Sequence, residues 1–246
     1  MTQSDFSPSA KDRILIALDF DNADDAIRMT RSLAGNVGGF KVGLELVNAV
    51  GFDIFDRLMD AGAERIFYDA KFHDIPNTVA GAVRAAARRG VWMVNVHASG
   101  GGAMLRAARE AADTVSHPPL LIGVTILTSI DTATLNRDLR VSGGTSDQVL
   151  HLARLAQAVG LDGVVASPQE VAAIRATCGP SFVTVIPGIR PAGVAADDQA
   201  RVASPRSAVQ DGAHYLVVGR AVTATPDPRA AAEAVASEIA DAVSAT

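Results

Sequence analysis

Two carboxylates and one ammonium fall within a single short stretch: Asp69, Lys71 and Asp74. Residues 65–72 are rich in aromatic and β-branched types and follow a turn containing Gly62, which predicts a short strand. Side chains alternate along a strand, so Asp69 and Lys71 share one face. Pro76 cannot donate to a sheet and biases Ile75 towards extended geometry, so the strand stops before it. Asp74 then lies just past the strand end, facing the same space. Asn77 or Thr78 can cap a helix beginning at Val79. The plain reading is a structural ion pair at a strand end. Against it stands the charge count. Two carboxylates and one ammonium are costly to bury unless a ligand or further partners complete the set.

The elements that must position these groups alternate along the chain. Residues 13–20 form a near-continuous apolar run, as in a parallel strand buried on both faces. A helix capped by Asp21 or Asn22 follows, to about residue 33. Strands are expected at 39–44, 65–72, 92–97, 120–127, 163–166, 182–186 and 215–218. Helices are expected at 47–59, 79–89, 104–112, 146–159, 168–176, 205–210 and 229–243. Eight strands alternating with helices over this length predict an α/β protein, a single-domain (β/α)₈ TIM barrel spanning 13–246. An open doubly wound sheet is the alternative, but no G-x-G-x-x-G follows the first strand.

In such barrels chemistry gathers at the carboxyl ends of the strands. Asp19 ends the first strand, and Lys41 is an odd residue inside the second. Thr128 follows the fifth. Gly188 and Arg190 follow the seventh, and Gly219 and Arg220 follow the eighth. Asp19 alone reads equally as a capping aspartate. Lys41 has no solvated strand face to occupy, so it points to the mouth and pairs with Asp19 or Asp69. Gly219 and Arg220 suit a phosphate, with backbone N–H groups approaching the anion and a guanidinium fork beside them. Residues 188–204 form a long irregular loop. They suit a lid over a bound phosphate, with Arg190 and Gln199 as its contacts. His97 could serve as a base, although a buried structural histidine is the simpler reading. Cys178, the single cysteine, lies at a helix end and reads as structural.

Composition narrows the partners. The chain has 246 residues, 48% of them hydrophobic, and a net charge of −5 with its basic residues scattered. No nucleic-acid stripe or polybasic membrane segment is present, so a phosphorylated ligand needs a local basic site. Residues 1–12 read as a loose polar tail without the marks of a signal peptide, and no apolar run approaches transmembrane length. A cytoplasmic protein without disulfides is the expectation. No histidine, cysteine or carboxylate spacing suggests a metal site.

The stretch from Asp69 to Thr78 resembles the D-x-K-x-x-D-I-P-x-T signature of the orotidine 5′-phosphate decarboxylase family. The resemblance runs in barrel order from Arg13 to Arg220. It implies decarboxylation of orotidine 5′-phosphate to UMP, the last step of de novo pyrimidine synthesis, with no cofactor and no metal. It implies that Asp19 contacts the ribose and that Lys41 joins a charged network with the ribose and Asp69. Asp69, Lys71 and Asp74 are then the catalytic core, flanked by Ile75 and Thr78, with Lys71 donating a proton to C6. Thr128 would bond the pyrimidine, while Arg190, Gln199, Gly219 and Arg220 would hold the phosphate. The resemblance also implies a homodimer in which Asp74 and Thr78 reach the neighbouring subunit's site. Three rival readings stand beside it. One is a Mg²⁺-dependent keto-sugar-phosphate decarboxylase of the same superfamily, which carries a carboxylate where this chain has Lys41. Another is a sugar-phosphate isomerase using Asp69 as base. The third is a non-catalytic nucleotide-binding barrel.

Overall fold

Short runs of β-branched and aliphatic residues alternate with alanine-rich amphipathic segments, and the chain closes on itself. The structure is a computed structural model that describes residues 8–191 and 203–244. Eight strands, β1 (Ile14–Ala17), β2 (Gly39–Val42), β3 (Ile66–Phe72), β4 (Met93–His97), β5 (Leu120–Val124), β6 (Gly163–Val165), β7 (Val183–Ile186) and β8 (Tyr215–Val218), pair in chain order. All pairs are parallel, and β8 returns to β1 through Leu15↔Val217, so the barrel has no open edge. The strands β1, β2, β7 and β8 are buried throughout, and β1 and β8 accordingly read as unbroken apolar runs, whereas β2 and β7 each bury one polar residue, Lys41 and Thr184. This is the (β/α)₈ barrel expected, in one domain.

The helices are α1 (Ala23–Leu33), α2 (Leu44–Val50), α3 (Ile54–Asp60), α4 (Pro76–Arg88), α5 (Gly101–Ala112), α6 (Thr132–Arg137), α7 (Thr145–Ala158), α8 (Val171–Cys178), α9 (Pro205–Gln210), α10 (Arg220–Thr223) and α11 (Pro228–Ser244). Asn22 caps α1, accepting from the Asp25 N–H at 2.9 Å. The single helix expected over 47–59 is two, because Gly51 (φ +83°) takes a backbone that ends α2. α6 falls between the strand expected at 120–127 and the helix expected at 146–159, where no element was expected; Asp131 caps it, accepting from the Thr134 N–H. α4 begins at Pro76 rather than Val79. Proline suits the first helical position, since its fixed φ is helical and its missing N–H has no partner to lose. Asn77 and Thr78 are therefore first-turn residues, not caps. The expected tail also ends early. Lys11–Arg13 forms a 3₁₀ turn, with Lys11 donating to the Gly35 carbonyl and Arg13 to that of Ala213.

Apolar residues pack in two groups. The larger lies between sheet and helices. The smaller fills the barrel, with Leu15, Phe67, Met93, Ile122, Val183 and Tyr215 among its members. At the amino ends of the strands Trp92 meets the Tyr215 ring edge-on at 5.1 Å, and the Arg65 guanidinium stacks over Trp92 at 5.3 Å. This closes the floor. Among the described residues no helix is long and apolar enough to cross a membrane.

Candidate active site

With its floor packed, the barrel opens at the carboxyl ends of the strands. A cavity of about 290 Å³ lies there. Alternation supplies its walls. Ala17 and Asp19 follow Leu15 on one face, and Asp69 follows Phe67, so an apolar layer is topped by a charged one. Asp19, Lys41, Asp69, Lys71, Thr128, Arg190, Gly219 and Arg220 all line this cavity, as does Gly188.

The charges form a row of alternating sign. Asp19 Oδ1 accepts from Lys41 Nζ at 2.9 Å, Lys41 Nζ lies 3.5 Å from Asp69 Oδ2, and Lys71 Nζ donates to the same oxygen at 2.8 Å. Lys41 and Asp69 are nearly buried, whereas the Lys71 side chain is 31% exposed and faces the cavity. Burial works against the charge on Lys41, but Asp69 and Asp19 more than offset it and raise its pKa. Burial likewise works against an ionised Asp69, yet Lys41 and Lys71, with hydrogen bonds from Lys71 and Asn95, hold its carboxyl below the usual range. Gly43 lies close beside this row: a Cβ there would stand 3.2 Å from Lys41 Nζ and would press the ammonium by a few tenths of an ångström.

The contact between Asp69 and Lys71 arises in an irregular strand. β3 and β4 pair regularly to Tyr68↔Val94 and next at Phe72↔Val96. Three residues of β3 thus oppose one residue of β4, Asn95, in a bulge. Lys71 takes φ +50°, a left-handed backbone that costs about 1–2 kcal/mol for a residue with a side chain. Asn95 is fully buried. Its Oδ1 accepts from the Lys71 N–H and its Nδ2 donates to Asp69 Oδ1, each at 2.7 Å. Sequence reasoning overlooked Asn95. The signal was a lone amide between Val94 and Val96 in an otherwise apolar run.

Asp74 does not join the row as expected. Because α4 starts at Pro76, the chain leaves the barrel at once. Asp74 is exposed, and its Oδ1 accepts from the Ile75 N–H at 2.6 Å. Ile75, 67% exposed, and Thr78, also exposed, lie outside the cavity too. Gln199 lies outside the described residues. The two ends of its loop are joined, however. The Arg190 N–H donates to the Ala203 carbonyl and the Ala203 N–H to that of Gly188, whose φ of +78° favours glycine. Arg190 Nη1 donates to the Ile189 carbonyl, while its buried Nε has no partner among the described residues.

His97, at the end of β4, is partly buried and its ring lies 5.3 Å from that of His73. Burial and then the neighbouring His73 and Lys71 lower its pKa, which keeps the ring neutral. Cys178 is buried, and burial pushes its thiol up, away from a reactive thiolate.

Fold and site together define a (β/α)₈ barrel protein with a lysine–aspartate row in the cavity at its mouth. The chain belongs to the family described as Orotidine 5′-phosphate decarboxylase / HUMPS, whose model matches residues 12–235. It is 50% identical to the orotidine 5′-phosphate decarboxylase of Moorella thermoacetica over 235 residues, covering 94% of this chain and 93% of the relative. It is 51% identical to that of Nitrosococcus oceani over 230 residues, covering 93% and 98%. Among solved structures, the orotidine 5′-phosphate decarboxylase of Lactobacillus acidophilus superposes with a TM-score of 0.81 at 37% identity, covering 92% of this chain and 98% of that one.

Proposed function

We propose that this chain decarboxylates orotidine 5′-phosphate to UMP and CO₂, completing pyrimidine nucleotide synthesis, without a cofactor. The observation that carries the reading is the alternating row from Asp19 through Lys41 and Asp69 to Lys71. Loss of CO₂ from C6 leaves a carbanion with no adjacent carbonyl to take up its charge. A positive group fixed beside C6 must then stabilise it, and a fixed charge needs no reorganisation when the anion forms. Lys71 ends the row at the cavity, anchored by Asp69, and supplies both that charge and the proton that replaces CO₂.

The rest of the cavity suits the rest of the substrate. Gly219 and Arg220 receive the phosphate, and Arg190 Nε, buried without a partner among the described residues, is a donor for the same anion. Thr128 offers a hydroxyl to the pyrimidine, and Asp19 a carboxylate to the ribose. Gln199, outside the described residues, would add a further phosphate contact. Asp74, Ile75 and Thr78 project from the protein surface, which suits a homodimer that places them in the neighbouring subunit's site.

Lys41 argues against the Mg²⁺-dependent keto-sugar-phosphate reading. Its ammonium already engages both Asp19 and Asp69, and would repel a divalent cation from the oxygens best placed to bind one. The deciding experiment follows the ultraviolet absorbance of orotidine 5′-phosphate with purified protein in excess EDTA. Conversion to UMP is expected. Inertness here, with turnover of a keto-sugar phosphate on adding Mg²⁺, would overturn the reading.

A further inference from the structure

We infer that Asn95 is a positioning residue for the reaction: its buried side-chain amide replaces the missing β3–β4 ladder at the bulge and so sets where Lys71 and Asp69 stand. The inference rests on the decarboxylase reading above.

A strand residue in a regular parallel ladder finds its partners in the backbone of the next strand. The bulge removes that option for Asp69, Ala70 and Lys71, since only Asn95 lies opposite them. A primary amide carries an acceptor oxygen and a donor nitrogen on one planar carbon, as a peptide unit does. Asn95 uses both. The acceptor satisfies the Lys71 N–H, and the donor satisfies Asp69 Oδ1, leaving Oδ2 for the two lysines. One rigid group thus ties the backbone of Lys71 to the carboxylate that grips its own ammonium. The left-handed turn at Lys71 is held by this bond, and that turn decides where the ammonium emerges. Asn95 does not line the cavity, so it acts through its two neighbours rather than on a substrate.

No other residue type of this size does the same. Leucine supplies no polar atoms, and aspartate supplies the acceptor but presents a second carboxylate to Asp69. Asparagine is also fully buried here without loss, because both ends of its amide are engaged.

The test compares wild type, Asn95→Ala and Asn95→Asp for turnover of orotidine 5′-phosphate and for UMP affinity by titration calorimetry. Both variants are expected to lose about 100-fold in kcat, the scale of a reacting group displaced by ~1 Å. UMP affinity should stay within about threefold, because UMP is held through groups that Asn95 does not touch. Asn95→Asp keeps the shape of the core and carries the test if the alanine variant does not fold. A kcat near that of wild type in either folded variant would overturn the role, as would UMP affinity lost in step with kcat. A wild-type protein inert towards orotidine 5′-phosphate would instead overturn the reading beneath it.

Discussion

Lys41 Nζ lies 3.5 Å from Asp69 Oδ2, and both side chains are almost sealed from water. Removing one member of such a pair strands the other charge in the interior. Asp69 would keep Lys71 and Asn95, so the loss is less than complete. Lys41→Met should lower unfolding stability by about 2–4 kcal/mol in urea titrations. It should also let the Asp69 pKa rise. The acid limb of the pH–rate profile should then move to higher pH than in wild type, where the lysines hold that carboxyl low.

Arg220 and the phosphate give a second test. A guanidinium bound to a phosphate contributes to catalysis only when the phosphate is present. Arg220→Ala should reduce kcat/KM for orotidine 5′-phosphate by about 100-fold or more. For the bare nucleoside the change should be less than roughly threefold. Equal losses for the two substrates would remove the phosphate role.

Exposure of Asp74 in the single chain bears on subunit sharing. Lys71→Ala and Asp74→Ala should each nearly abolish turnover, with UMP binding still measurable in the first. Mixed and reassembled, the two variants should recover about a quarter of wild-type activity. Half of the dimers are then hybrids, and each hybrid holds one intact site of two. No recovery under conditions where subunits exchange would place Asp74 in its own subunit's site or in none.

At the opposite end of the barrel, His214 should make the fold acid-sensitive. The ring is buried beside Arg175, and the Thr184 N–H donates to its Nδ1 at 3.1 Å. Burial and then Arg175 push its pKa from 6.5 to about 4. Between these values the unfolded chain binds more protons, so stability is full above 6.5 and falls as pH drops towards 4. From pH 7 to pH 5 this group should remove about 2 kcal/mol. Denaturant titrations at both pH values should show His214→Asn losing less than wild type by that amount.

Much of this was legible in residue order. Strand positions followed from apolar runs, and the mouth residues followed from period-two alternation continued past each strand end, as at Asp19 and Asp69. Alternation also placed Lys71 on the face of Asp69, but for a reason that does not operate there. The bulge and the left-handed backbone make that contact, and nothing in a run of Asp, Ala and Lys announces either. Asp74 was misplaced because Pro76 was taken as a strand stop alone, whereas it also starts a helix that carries the chain outward. Gly51 carried a readable sign of the break between α2 and α3. Asn95 was hidden because a polar residue in a strand gains meaning only once its neighbour across the ladder is known.

The stacked arrangement at the floor makes the protein its own optical probe. Trp92 is the sole tryptophan and is pinned between Tyr215 and Arg65. A strand's length, roughly 15 Å, separates it from the mouth. Its fluorescence should therefore shift to the red when the barrel opens in denaturant and stay constant as nucleotides come and go. Global unfolding can then be followed through this one residue, with no label attached, whatever the cavity holds.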